Sequence, residues 1–182
     1  MDLPLPGDPV RSAFVFGKLP AHGDFLRRGL GDGAADELDD YLSASLSDAA
    51  MLPDFDELYA SAPAWRFLVD IGPVTMCGVI APSVDRVGRQ FPVMVGVNAP
   101  ADGIGLVIDA CEASLYNAFS QGMTAEALYT TLVDFPGDGG EGDMPPRGWF
   151  LEDEDKVVAA RLDGNRPPRL VRRMMESARL RA

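Results

Sequence analysis

Histidine and cysteine are nearly missing from this sequence. Its 182 residues hold one His and two Cys, too few for a structural zinc site, which takes about four ligands. Cys77 and Cys111 stand alone in apolar surroundings with no CxxC spacing, and are expected as reduced, buried thiols. No apolar run approaches the roughly 18 residues of a membrane-spanning helix. The opening Met1-Asp2-Leu3-Pro4-Leu5-Pro6 has neither a basic start nor an apolar stretch, so no secretion signal is expected and the location is expected to be cytoplasmic. Positive charge is also scarce. Against 28 Asp and Glu there are 16 Lys and Arg, a formal charge of -12, which disfavours nucleic acid as a partner because phosphate contacts need a positive surface. There is no Walker loop and no GxGxxG, GxSxG or HExxH motif, so neither a cofactor nor a metal is expected.

What remains has the composition of a folded protein. Hydrophobic residues make up 47% and charged residues 24%, which argues against disorder, and the length suits one domain with a buried core. The charges are segregated. Residues 156–182 carry eight of the basic side chains and only Asp163 and Glu176 as acids, while between Arg28 and Arg66 nine acids occur with no Lys or Arg. Such a split predicts either an internal electrostatic clasp or a basic tail offered to an acidic partner.

The aromatic run Ala13-Phe14-Val15-Phe16-Gly17 reads as a first strand. A Gly- and Pro-containing loop follows from Lys18, leading into a helical turn near Arg28. Leu38, Tyr41, Leu42 and Leu46 recur at helical spacing over 32–47, and Phe55, Leu58 and Tyr59 mark a second short helix after Pro53. Residues 65–71 and 74–80 form a hairpin about Gly72-Pro73; a polar loop over 81–90 then leads to a strand over 91–97. Ile108, Cys111, Leu115 and Phe119 line a helix ending at Gly122, and Thr124 caps another. Residues 148–152 and 156–162 read as a terminal hairpin. Pro168 fits the first turn of a closing basic helix with Leu170, Met174 and Met175 inward. The predicted class is a single α+β domain over 1–182, with an antiparallel or mixed sheet and helices packed on its faces. Residues 1–12 are expected as a flexible leader and 136–147 as a mobile loop.

Two clusters could carry chemistry. His22 lies two residues from Asp24, which allows a general base oriented by a carboxylate, against a plainer reading as a backbone-bonded loop histidine. Asp85, Arg86 and Arg89 surround Gly88. An arginine fork there could grip an anionic partner, or the residues could simply tie the loop to its neighbours. Trp65 and Trp149 are expected in the core rather than as a stacking platform. The acidic helices read as a solvated face or as a docking surface in which Asp36, Glu37, Asp39 and Asp40 meet a partner.

Three ordered blocks carry a family pattern. Phe16-Gly17-Lys18-Leu19-Pro20-Ala21-His22-Gly23-Asp24-Phe25-Leu26-Arg27-Arg28-Gly29-Leu30 resembles the opening of the TagF family, associated with bacterial type VI secretion. Ala62-Pro63-Ala64-Trp65-Arg66-Phe67 and Pro82-Ser83-Val84-Asp85-Arg86-Val87-Gly88-Arg89-Gln90-Phe91-Pro92 are similar to two further blocks. The resemblance implies a cytoplasmic, non-enzymatic regulator that represses type VI secretion after translation by engaging a forkhead-associated (FHA) scaffold protein. Some relatives carry a fused phosphatase domain, for which this chain has no metal motif. Partner-binding candidates are Lys18, His22, Asp24, Arg27, Asp85, Arg86 and Arg89. The alternatives are a small hydrolase using His22 with Asp24 or Asp85, and an acidic body that acts as a chaperone or mimics nucleic acid.

Overall fold

A computed structural model describes residues 12–135 and 144–179. The expected leader and most of the expected mobile loop lie outside the described residues. In chain order the elements are β1 (Ala13–Gly17), β2 (Leu26–Arg28), α1 (Asp32–Ala49), α2 (Phe55–Ser61), β3 (Trp65–Ile71), β4 (Val74–Ala81), β5 (Val93–Asn98), α3 (Ile104–Gln121), α4 (Ala125–Val133), β6 (Gly148–Glu152), β7 (Val158–Leu162) and α5 (Leu170–Ala178). The strands join one sheet in the order β2-β1-β5-β4-β3-β6-β7, and every pairing is antiparallel. The α+β class holds, with the sheet antiparallel.

Helices cover both faces of the sheet. On one face α3 and α4 bring Ile108, Cys111, Leu115 and Leu128 against an aliphatic surface that includes Val15, Val79, Val93 and Val95. On the other, α1 and α5 bring Leu38, Leu42, Leu170 and Met174 against Phe14, Phe16, Trp65, Phe67 and Trp149. Side chains alternate between faces along each strand, so one face is aliphatic and the other aromatic. A sheet buried on both sides needs apolar residues at consecutive positions, which is why these strands read as continuous apolar runs. Each fully buried side chain of this size contributes about 1.5–3 kcal/mol of transfer free energy.

The aromatic face needs room. Gly78 and Gly96 are paired across β4 and β5. A Cβ on Gly96 would meet Phe14 at 2.8 Å and Phe67 at 3.0 Å. Glycine at that position lets two rings lie directly on the backbone. Neither Cys77 nor Cys111 forms a disulfide among the described residues, and both are buried. Burial, with a smaller contribution from Cys77, pushes the Cys111 thiol well above its usual range.

Three local expectations change. Residues 26–28 form a strand, not a helical turn, because Leu26 alone turns inward while Arg27 and Arg28 stay exposed along the β1 edge. The strand expected from 91 begins at Val93; Pro92 has no N–H to give to a ladder. Pro168 precedes the closing helix instead of opening it, since Arg169 adopts a left-handed backbone, φ 60°, just before Leu170. Among the described residues no helix is long and apolar enough to cross a membrane.

Candidate functional site

β1 and β4 both lie antiparallel to β5 and therefore run in the same direction. The loops that leave their C-terminal ends emerge at the same end of the sheet and cross there. The Arg86 N–H donates to the His22 carbonyl at 2.8 Å, and Arg89 Nη2 donates to the Gly23 carbonyl at 2.6 Å. Two of the three sequence blocks thus form one structural unit.

Asp85 is the centre of that unit. Its side chain is fully buried. Oδ1 accepts from the backbone N–H groups of Val87 at 3.1 Å and Arg89 at 2.9 Å. Oδ2 accepts from Arg89 Nε at 2.6 Å and lies 3.4 Å from Lys18 Nζ. Burial opposes ionisation here. The backbone and side chain of Arg89, the Val87 N–H and Lys18 together outweigh it and hold the carboxyl down to about 2. A buried carboxylate with four donors fixes the backbone of both loops. Lys18 and Asp85 consequently lie inside the crossing, while Arg89, whose side chain is 64% exposed, reaches in from its surface to hold Asp85 and the Gly23 carbonyl.

Arg86 is left outside. It is exposed, and its guanidinium rests over Gly23, where an added Cβ would stand 3.2 Å from Nη2. Every other lysine and arginine among the described residues has an ion pair; the Arg86 side chain makes neither an ion pair nor a hydrogen bond with any described residue. Beside it Val87 is 70% exposed. Gly88 completes the tip at φ +87°, with nothing within 4 Å of a built Cβ; that backbone conformation favours glycine. A cleft of about 240 Å³ opens at the foot of the same loops, walled by Pro20, Tyr59, Val84 and Phe119, with Ser83 and Gln90 as its polar members. The Tyr59 hydroxyl both donates to the Ser83 carbonyl and accepts from its N–H, each at 3.1 Å, which anchors α2 to the cleft.

His22 has a structural task. Its Nε2 accepts the Ala125 N–H at 2.8 Å, satisfying one of the free amides at the start of α4, where Thr124 accepts from Ala127. No hydrogen bond or ion pair joins His22 to Asp24 or Asp85, so the acid–base pair considered from the sequence is not assembled. Asp24 is exposed. Arg27 leaves the crossing altogether and holds Asp36 at 2.6 Å and Asp39 at 2.7 Å on α1. Val87, and Tyr59 beyond its place in the stripe of α2, join the site only through the fold, as does the cleft. One signal was available: Val87 is the only apolar residue between Asp85 and Gln90.

The charge segregation closes on the molecule itself. Arg166 pairs with Glu37, Arg169 and Arg172 with Asp48, and Arg179 with Asp54. The basic C-terminal segment is therefore a clasp across the acidic helices. Of the four acids considered for docking, Asp36, Glu37 and Asp39 are engaged by arginines. A second network surrounds Arg66, whose side chain is 7% exposed. Asp109 at 2.6 Å, Glu152 at 3.1 Å and Glu112 hold it against α3.

Comparison with known proteins agrees with this layout. No curated protein matches the chain. Among solved structures, the crystal structure of PA0076 from Pseudomonas aeruginosa PAO1 is similar in fold, with a TM-score of 0.61 and 23% identity over 92% of this chain and 78% of that one. The family model for the TagF N-terminal domain, Type VI secretion system-associated, matches residues 15–133 and so takes in β1 through α4 together with the whole loop crossing. The chain belongs to the TagF N-terminal domain family.

Proposed function

We propose that this chain is a non-enzymatic, cytoplasmic repressor of type VI secretion, acting after translation by binding the FHA scaffold protein of the secretion machinery. The single observation that carries the reading is the family match over residues 15–133. Two features of the geometry support it. The groups that would serve a hydrolase are already occupied, His22 at the start of α4 and Asp85 by four donors. The crossed loops are held rigid, and a surface that is already ordered loses little entropy when a partner binds it. Of the candidate partner residues, Arg86 is the cation that projects from the crossing with no side-chain partner among the described residues, and Asp24 is exposed beside the same crossing; Lys18, Asp85 and Arg89 act by holding the loops in place.

The reading is tested with purified scaffold protein and with secreting cells. Calorimetric titration of the scaffold with this chain is expected to give saturable binding, and overproduction of the chain is expected to lower effector release at unchanged sheath-protein levels. Absence of binding, together with unchanged release, overturns the proposal.

A further inference from the structure

We infer that the tip of the loop crossing and the cleft at its foot form one docking site for an extended protein segment that presents a single carboxylate beside a bulky apolar side chain. The inference deepens the reading above and rests on its premise that the chain works by binding a protein. Charge complementarity sets the first half of the recognition. Arg86 is the one described cation not already neutralised within the chain, and a guanidinium fork takes a carboxylate in two-point fashion. The chain as a whole carries -12, so an acidic tract would be repelled by the surrounding body. One carboxylate set among uncharged residues is the chemistry that fits.

The cleft sets the second half. At about 240 Å³ it is smaller than the roughly 300–1,000 Å³ of ordinary small-molecule pockets. Its Pro20, Tyr59, Val84 and Phe119 walls suit one aromatic or aliphatic side chain. Val87, next to Arg86 in the chain and 70% exposed at the tip, offers a further apolar contact. The buried Asp85 network holds these parts in register before any partner arrives. A preformed apolar pocket beside one arginine is the arrangement in which a few residues dominate binding.

The experiment has two arms on the full chain. In the first, amide shifts are followed by NMR during titration with a capped peptide holding one aspartate between leucine and phenylalanine, and with its asparagine counterpart. Shifts at Val84, Arg86, Val87 and Phe119 are expected, with roughly tenfold weaker binding of the asparagine peptide. Shifts elsewhere only, or equal affinity for the two peptides, overturn the inference. In the second arm, the scaffold is titrated against the wild type, Arg86→Ala, Val87→Asp and, as a control on a paired arginine of β7, Arg161→Ala. The first two should each weaken binding roughly tenfold while Arg161→Ala leaves it unchanged. Arg86 and Val87 are exposed, so their variants fold, which a melting curve verifies. Scaffold binding that ignores Arg86 and Val87 sinks this site and leaves the repressor reading intact. Peptide shifts at the crossing without any scaffold binding do the reverse.

Discussion

Arg66, at the start of β3, is buried against α3 with three carboxylates around it, whereas Arg86, on the loop after β4, has an exposed side chain with no ion pair or hydrogen bond among the described residues. The clasp between the C-terminal segment and the acidic helices lies between these extremes: Arg166, Arg169 and Arg179 are exposed and Arg172 is half-buried, yet each has an acid. The difference separates charge that maintains the fold from charge that remains available. Formal charge along the chain does not report it. The most conspicuous charge feature of the sequence, its acidic middle and basic end, turns out to be internal. The arginine left over sits in a short loop of unremarkable composition.

The comparison can be broken from the structural side first. Arg66→Ala would take the shared cation from Asp109, Glu112 and Glu152, with Lys156 still paired to Asp109 at 2.7 Å, and is expected to cost about 3–5 kcal/mol in a urea unfolding titration. A loss below about 1 kcal/mol would place Arg66 among the exposed pairs instead. Next comes Asp85→Asn. Asp85 titrates near 3.8 when unfolded and is held down to about 2 in the fold. Its contribution is therefore fully present above about pH 4 and fades as the pH falls towards 2. The variant should be less stable at neutral pH and should show a shallower acid-unfolding limb. An acid limb identical to the wild type would mean that the crossing is not held by this carboxylate.

Smaller effects sharpen the middle case. Arg172→Ala and Arg179→Ala remove clasp pairs at the surface, and each is expected to change stability by about 0–1 kcal/mol, less at high salt. A loss that exceeds this and ignores salt would show that packing of the arginine stems matters more than their charge. Least of all should be Arg86→Ala, whose side chain makes no ion pair or hydrogen bond with any described residue, and which should leave the melting temperature where it was.

Much of the fold could be read from the residues. The hairpin about Gly72-Pro73, the long helices α1 and α3, and the inward set Leu170, Met174 and Met175 all follow from periodicity and breakers. The two faces of the sheet could not be told apart in advance, because a strand covered on both sides gives no alternation to follow. β2 escaped for the opposite reason: one inward Leu26 is too little pattern to register. The site was legible as a set of residues but not as an arrangement. Asp85, Arg86 and Arg89 are neighbours in the sequence, and nothing there distinguishes the arginine that folds back onto Asp85 from the one that does not. That distinction depends on the turn at Gly88 and on the Gly23 carbonyl, which arrives from a loop far away in the chain. The role of His22 was likewise set by Ala125, at the start of a helix more than half the chain later.

In the proposed mode of binding the crossed loops keep Arg86 available to another protein and do not need it for themselves. Thermal melting and scaffold affinity, measured on the same preparation of Arg86→Ala, separate these two roles. An unchanged melting curve with binding weakened roughly tenfold is expected. A variant that melts earlier and loses binding in proportion, or one that keeps full affinity, would rule this mode out.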